Sequence, residues 1–457
     1  MPARSPATTD QRREQRRDRR ADRRRHDREI LALAVPAFGA LVAEPLFLMA
    51  DSAIVGHLGT AQLAGLGVAS AALTTVVGVF AFLAYATTAA VARRIGAGDR
   101  RAAVQQGVDG IWLALLLSAG LVLLTLLLAP QAARLLGASA TAAPYAVTYL
   151  RISALGVPAM LLVLAATGVL RGFQDTRTPL LVAIGGFAAN LVLNLGLVYG
   201  AGLGVAGSAW GTVIAQNAMA AVYVAVVVRG ARREGAGLRP DRAGIRASAR
   251  AGGPLLVRTL SLRAVLLLAT AVAANLGDAE VAAHQITMTV WSFVAFALDA
   301  VAIAGQAIIG RYLGAGDLPG TRAATRRMVE WGLGAGVLFG LLMVLGRPLY
   351  VPLFSSDPGV RAQLSTALLL AALTQPVGGL VFVLDGVLMG AGDGRYLAWA
   401  MLATLLAFVP AALAVPALDL GLAGLWWAMN LFMLSRAAFL VGRVRTGHWM
   451  VTGAVRS

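Results

Sequence analysis

The chain consists of two halves that repeat in register. The sequence Gly-Ala-Gly-Asp at residues 96–99 recurs at residues 314–317, an offset of 218. Pro36 corresponds to Pro254 at the same offset. A constant offset of this size indicates two copies of one structural unit. In a membrane protein such a duplication is typical of transporters whose site lies where the repeats meet.

The composition indicates that each unit lies in a membrane. Hydrophobic residues make up 58% of the 457 residues, and charged residues 13%. Apolar stretches of about 20 residues, long enough to cross a bilayer, recur along the chain. Lipid offers the backbone no hydrogen bonds, so each span should be helical. We predict an all-α polytopic membrane protein with twelve transmembrane helices in two six-helix lobes and a central cavity between the lobes. The predicted spans are 30–55, 64–92, 108–129, 144–170, 179–200, 204–228, 252–275, 282–312, 328–346, 362–389, 396–416 and 420–442.

These spans divide the chain into five segments. Residues 1–29 form an arginine-rich tail, predicted to be disordered because its charges alternate without an apolar core. The N-terminal lobe covers 30–228, a linker covers 229–251, and the C-terminal lobe covers 252–445. Residues 446–457 form the C-terminus.

The arginines predict the orientation of the chain. With the tail inside, the inner segments carry 32 of the 39 basic residues and the outer loops carry three, Arg134, Arg347 and Arg361. Basic residues concentrate on the cytoplasmic side of membrane proteins. We therefore expect both termini in the cytoplasm of a bacterial cell, with the spans in its inner membrane.

Several classes of function are excluded or disfavoured. There is no cysteine, and the four histidines show no metal-ligand spacing. No catalytic set stands out, so we predict neither an enzyme nor a bound cofactor. The net charge of +17 does not indicate nucleic-acid binding, because the chain is almost entirely membrane-spanning. A channel is disfavoured because no filter-like motif is present.

Polar residues within the predicted spans indicate a site in the N-terminal lobe. Glu44 and Asp51 lie seven residues apart on span one, on one helix face, and Pro36 and Pro45 on the same helix are positions where it could bend. An acid within the bilayer usually faces a polar interior and has a function there.

Three further polar residues join this N-terminal set. Asn190 and Asn194 share a face of span five, and Thr212 lies on span six. Asp51 corresponds to Ala269 in the second repeat, and Asn190 to Phe408. Groups needed only for the shared fold should recur in both halves. This asymmetry favours a functional site.

The C-terminal lobe has a separate polar set without counterparts, consisting of Arg258, Arg263, Asp299 and Asp385. Opposite charges within one bundle can pair with each other, and they can also bind a substrate or an ion. At the level of the sequence both interpretations, pairing between these charges and binding of a substrate or an ion, stay open.

Motifs in both halves resemble one family of transporters. The stretches are Ala-Asp-Ser-Ala-Ile-Val-Gly-His-Leu-Gly at 50–59, Gly-Val-Leu-Arg-Gly-Phe-Gln-Asp-Thr-Arg-Thr-Pro at 168–179 and Ala-Ala-His-Gln-Ile at 282–286. Together they resemble the multidrug and toxic compound extrusion (MATE) family, in its DNA-damage-inducible, DinF-like branch. The resemblance covers about residues 30–445. It implies two six-helix lobes and export of amphipathic, often cationic drugs or toxic metabolites against an inward flow of H⁺ or Na⁺.

The resemblance also implies roles for individual residues. Asp51 falls on the family's coupling aspartate, and Asn190, Asn194 and Thr212 fall on its polar partners. Some relatives carry a second acid where Asn194 stands, and Glu44 could supply that acid instead. Proton coupling is favoured, and a Na⁺ site near Asp51 stays open.

One other transporter class remains as an alternative. A flippase for lipid-linked saccharides would need a cationic cavity, which Arg258 and Arg263 could provide. For either class the expected partners are small molecules, an ion and membrane lipid, with the chain acting as a monomer.

Overall fold

The computed structural model describes the backbone of residues 9–455 and the side chains of residues 22–455, and the secondary structure assigned there is helical. The first eight helices are α1 (Thr9–Gly56), α2 (Thr60–Val79), α3 (Phe82–Gly96), α4 (Arg100–Leu135), α5 (Ala143–Ala154), α6 (Val157–Gly172), α7 (Arg177–Leu195) and α8 (Gly204–Glu234), with a π-helical turn (Gly196–Gly200) after α7. The other seven are α9 (Arg242–Leu276), α10 (Asp278–Gly314), α11 (Leu318–Phe354), α12 (Pro358–Leu373), α13 (Gln375–Gly390), α14 (Gly394–Ala417) and α15 (Gly421–Thr446).

These helices form twelve membrane spans, as predicted. Among the described residues, ten helical segments are long and apolar enough to cross a bilayer, and two bent pairs bring the number to twelve. The bent pairs are α5 with α6, at 53°, and α12 with α13, at 51°. The two breaks lie at Gly156 and Thr374, which are 218 residues apart. The two repeats therefore share a helix break at equivalent positions, as expected of a duplicated unit.

The two lobes cross closely where α3 and α10 end. A Cβ atom on Gly96 would collide with the carbonyl oxygen of Arg311, and one on Gly314 would collide with that of Arg93. Both pairs are related by the offset of 218, so the crossing is symmetric between the repeats. We call this end of the bundle the arginine-rich end, defined by Arg93, Arg94, Arg311 and Arg327.

The prediction of a disordered tail is wrong for residues 9–29, because α1 runs without interruption from Thr9 to Gly56. Residues 1–8 lie outside the described part. The last turns before the membrane dock onto the C-terminal lobe: Asp27 accepts hydrogen bonds from Arg327, at 2.6 Å, and from the Trp331 indole, at 2.8 Å. The Asp27 carboxylate, in a segment that the sequence predicts to be disordered, therefore joins the two lobes.

The connection between the lobes is shorter than the predicted linker 229–251. Helix α8 continues to Glu234 and ends at Gly235, which has a φ of 66°. Helix α9 begins at Arg242, where the Asp241 carboxylate accepts hydrogen bonds from two backbone N–H groups of the first turn. Only residues 235–241 separate the helices, since good helix formers extend both beyond the membrane.

The C-terminus beyond α15 packs back onto the protein. Trp449 is buried, and its indole donates to the Val444 carbonyl at 3.1 Å. The Gly453 N–H donates to the Leu313 carbonyl at 3.0 Å. Residues 447–453, which we call the C-terminal segment, are therefore part of the arginine-rich end.

Candidate functional site

Four helices of the N-terminal lobe converge on one carboxylate. Asp51 on α1 is only 2% exposed. Its Oδ1 accepts hydrogen bonds from Asn194 Nδ2 on α7, at 2.8 Å, and from Ser208 Oγ on α8, at 2.5 Å. Its Oδ2 accepts one from the Tyr149 hydroxyl on α5, at 3.2 Å. The site is therefore built at the meeting point of α1, α5, α7 and α8.

The polar contacts continue away from Asp51 along α7 and α8. Asn194 Nδ2 also donates to Asn190 Oδ1, at 3.1 Å, and Asn190 Nδ2 donates to Thr212 Oγ1, at 3.2 Å. Asn190 and Asn194 lie one helical turn apart, which is why both reach the same neighbours. The structure thus brings Asp51, Asn190, Asn194 and Thr212 into one chain of hydrogen bonds.

The donors around Asp51 are all neutral. Within the described residues, no basic group lies within ion-pair distance of this carboxylate. Val55 and Val205 belong to the apolar cluster that packs beside it. A buried carboxylate without a basic partner is costly in its charged form, so a proton or a cation is its natural counterion.

One further atom at the site has unused bonding capacity. Asn194 Oδ1 is buried and has no hydrogen-bond partner. An unsatisfied buried acceptor costs about 1–3 kcal/mol. The arrangement can therefore accept one more donor or a small cation next to Asp51.

The C-terminal lobe fills the equivalent position with apolar side chains. At the offset of 218, the positions of Asp51, Asn190, Asn194, Tyr149 and Ser208 hold Ala269, Phe408, Ala412, Ala367 and Trp426. All five of these C-terminal residues are buried in the core. One repeat thus folds without these polar groups, and the network around Asp51 is not a requirement of the fold.

Glu44 does not enter the hydrogen-bond network of Asp51. Its side chain is exposed on α1, within electrostatic reach of Arg263 on the other lobe. Pro36 and Pro45 both lie inside the continuous helix α1, one on the arginine-rich side of Glu44 and one next to it. The sequence placed Glu44 and Asp51 on one face, but only Asp51 turns into the lobe.

The C-terminal polar residues separate into a paired group and two others. Asp385 on α13 accepts hydrogen bonds from Arg258 on α9 and from Arg436 on α15, and all three residues are buried. Arg263 reaches across to Gly78 on α2, and Asp299 is partly exposed on α10. Asp385 therefore lies between two guanidinium groups, which neutralise its charge.

Sequence reasoning missed Tyr149, Ser208 and Arg436 as parts of these sites. The repeat comparison could have found the first two, because Tyr149 corresponds to Ala367 and Ser208 to Trp426. In the part of the chain described by the structure, no group of three or more His, Cys, Asp or Glu side chains could hold a metal ion.

The fold and the site together define a class of protein. It is a polytopic membrane protein of two repeated lobes, in which one lobe carries a buried carboxylate surrounded by neutral donors. A profile of the MatE family matches residues 36–196 and 254–413, one match in each repeat. The chain belongs to the MatE family, as its motifs predicted.

Individual relatives agree with this assignment. The chain is 32% identical over 442 residues to Protein DETOXIFICATION 44, chloroplastic, of Arabidopsis thaliana, covering 92% of this chain and 83% of the plant protein. It is 29% identical over 436 residues to DNA damage-inducible protein F of Escherichia coli (strain K12), covering 93% and 94% of the two chains.

Solved structures share the fold. The Vibrio cholerae MATE transporter VcmN in its bent form superposes with a TM-score of 0.85 at 22% identity, over 94% of this chain and 99% of that one. A MOP superfamily transporter from Pyrococcus furiosus, described as having a binding pocket of reversed polarity, superposes with a TM-score of 0.83 at 22% identity, over 93% and 96%.

Proposed function

We propose that this protein is a secondary active multidrug transporter that exports amphipathic, cationic small molecules in exchange for protons, with Asp51 as the coupling residue. The observation that carries the proposal is the contrast between the repeats. Asp51 and its donors are buried polar groups in one lobe, while the equivalent positions of the other lobe are apolar. Intramembrane polar groups that the fold does not need are candidates for ion or proton binding.

The donor geometry favours H⁺ over Na⁺. Asn194, Ser208 and Tyr149 direct N–H or O–H groups at the carboxylate, so both Asp51 oxygens already accept hydrogen bonds. A sodium ion would need several oxygen ligands with lone pairs directed at it. A proton needs only one carboxylate oxygen.

The proposed orientation places the arginine-rich end in the cytoplasm of a bacterial cell, by the positive-inside rule. Asp51 then lies in the outer half of α1, five residues before the helix ends at Gly56. The two lobes are in contact at the arginine-rich end, and we propose that the proton reaches Asp51 from the outer side. The two lobes of one chain flank the pathway, and we propose that a monomer in membrane lipid is sufficient.

Protonation gives a mechanism for export. A neutral Asp51 no longer needs three donors, so the hydrogen bonds from α5, α7 and α8 weaken together. Helix α1 contains Pro36 and Pro45, where a missing N–H allows it to bend. Movement of α1 would reshape the N-terminal lobe and release the bound molecule, and loss of the proton to the cytoplasm would restore the starting state.

The flippase alternative is not favoured. Of the two arginines that could provide a cationic cavity, Arg258 and Arg263, the first already donates to Asp385, as does Arg436. Asp385 neutralises one of the two positive charges in contact with it, and Asp299 is close enough to both of those arginines to interact with them electrostatically.

The test uses purified protein in proteoliposomes and follows uptake of a fluorescent cationic dye under a pH gradient alone and under a Na⁺ gradient alone. Dye movement driven by the pH gradient in wild type, and absent in Asp51→Asn, is the expected result. Movement driven only by Na⁺ would contradict proton coupling. The absence of movement with either gradient, over a panel of dyes and drugs, would contradict the export function.

A further inference from the structure

Among the described residues, the hydrogen bonds between the two lobes lie at one end of the molecule. In the described part of the chain, the hydrogen bonds and ion pairs that we find between α1–α8 and α9–α15 are at the arginine-rich end. Two of the donors, Arg93 at the end of α3 and Arg311 at the end of α10, are related by the offset of 218. They flank the close crossing at Gly96 and Gly314.

Arg311 reaches from the C-terminal lobe to the N-terminal lobe. Its Nη1 donates to Gln174 Oε1 at 2.8 Å, and its Nη2 donates to the Glu29 carboxylate on α1. The Tyr312 hydroxyl donates to the other oxygen of Glu29 at 3.4 Å. This contact is an ion pair, and it is only partly shielded from solvent.

Arg93 makes the reciprocal contact from the N-terminal lobe. It is 2% exposed, and it donates to the Ala391 carbonyl at 3.2 Å and to the Val451 carbonyl at 2.7 Å. Ala391 lies one position before the repeat equivalent of Gln174. Each of the two arginines therefore reaches from its own lobe to the other lobe, and the two contacts are related by the pseudo-symmetry of the crossing.

The C-terminal segment supplies the second acceptor for Arg93. The Gly453 N–H donates to Leu313 and the Trp449 indole donates to Val444, so this segment is held by the C-terminal lobe. It would move with that lobe if the lobes separated, and the contact with Arg93 would then break.

We propose that Arg93 and Arg311 are paired closing residues for the arginine-rich end, and that the C-terminal segment is part of this closure. The proposal rests on the proposed transport function, in which this end must open once per cycle. Opening would break the Arg311–Glu29 contact and the Arg93–Val451 contact at the same time. Transport would therefore depend on residues far from the drug and the proton.

The same helix connects this closure to the coupling site. Glu29 and Asp51 both lie on α1, 22 residues apart. At a rise of about 1.5 Å per residue, they are separated by roughly 33 Å along the helix axis. Movement of α1 on protonation of Asp51 can thus change the position of the acid that Arg311 binds.

The test measures the separation of the lobes directly. The chain has no cysteine, so Arg101→Cys on α4 and Arg322→Cys on α11, both exposed, provide a specific spin-label pair. Distance distributions are recorded in lipid nanodiscs, without drug and without an ion gradient. Failure of transport would leave this readout intact, so the two proposals are tested separately.

Each variant addresses one contact of the closure. Glu29→Gln and Arg311→Gln remove the ion pair. Gly453→Pro releases the C-terminal segment, because proline has no N–H to donate to Leu313 and cannot adopt the φ of 108° at this position. We expect each to raise the ratio of separated to closed lobes by about tenfold, the effect of losing roughly one hydrogen bond to a charged group. The double variant Glu29→Gln with Arg311→Gln should open no further than Arg311→Gln alone, because Arg311 also donates to Gln174.

Two controls separate this effect from general loss of charge or order. Arg94→Gln removes an arginine that donates to Ala90 within its own helix. Val455→Pro alters an exposed position beyond the segment. Both should keep the wild-type distances. Unchanged distances in Glu29→Gln and Gly453→Pro, with folding confirmed by thermal unfolding, would overturn the proposal, and so would equal widening in Arg94→Gln.

Discussion

Asn194 donates through a single amide nitrogen to Asp51, at 2.8 Å, and to Asn190, at 3.1 Å. The amide therefore joins the carboxylate on α1 to the polar face of α7. We propose that protonation of Asp51 weakens its hydrogen bond with Asn194, and that Asn190 passes this change on to Thr212 on α8. In this proposal a proton on one carboxylate alters the packing of several helices.

The first prediction concerns Asp51, the proposed coupling residue. Asp51→Asn keeps the size of the side chain but cannot bind and release a proton. We expect dye export driven by a pH gradient to fall to the level of protein-free liposomes, with little change in thermal unfolding. Asp419→Asn is the control, since this exposed residue has a φ of 49° that asparagine tolerates. Proton-driven export by Asp51→Asn at the wild-type rate would contradict the assignment.

The second prediction concerns a donor to the carboxylate. Ser208→Ala removes the 2.5 Å hydrogen bond to Asp51, which stabilises the charged form. Proton binding then becomes easier, so the pH profile of export should move to higher pH. A hydrogen bond to a charged group contributes about 1.5–3 kcal/mol, which corresponds to a movement of roughly one to two pH units.

The matched control for this serine is Ser435→Ala. Ser435 donates to the Phe432 carbonyl of its own helix. Its loss should leave the pH profile in place. A movement to lower pH in Ser208→Ala would show that the hydroxyl does not stabilise the charged carboxylate.

The third prediction concerns a glycine that makes room for the site. A Cβ atom on Gly211 would collide with Asn194 Oδ1, whereas one on Gly230, in the same helix, would meet open space. Gly211→Ala should displace Asn194, lower the stability by about 1–3 kcal/mol and reduce coupled export. Gly230→Ala should raise the stability by about 0.4–1 kcal/mol through the unfolded chain. Thermal unfolding and dye export on both variants provide the comparison, and equal effects would refute it.

The fourth prediction concerns the paired charges of the C-terminal lobe. Asp385→Asn leaves the buried guanidinium groups of Arg258 and Arg436 without their carboxylate. Removing one partner of a buried ion pair costs about 3–5 kcal/mol, so the thermal unfolding temperature should fall markedly. Asp357→Asn, which keeps a helix-capping side chain, should have little effect. A stable Asp385→Asn variant that had lost export would instead indicate a substrate or ion role for Asp385.

The sequence determined the architecture because hydrophobic span length and repeat spacing are local properties of the chain. The twelve spans and the duplication at 218 followed from these properties, and the family followed from its motifs; the structure and the comparisons agree with them. The helical state of residues 9–29 did not follow, because their alternating charges look solvated until Asp27 and Glu29 meet partners some 300 residues away.

The site shows the same division at the level of single side chains. The contrast between Asp51 and Ala269 could be read from the repeat, and it predicted a site in the N-terminal lobe, where the hydrogen bonds to Asp51 are found. The repeat comparison could have named Tyr149 and Ser208 as candidates, but it could not show that they contact Asp51 or that Glu44 does not, because helix rotation and tilt are set by packing among several helices. Tertiary structure alone decided which polar groups meet, since each hydrogen bond to Asp51 joins residues about a hundred or more positions apart.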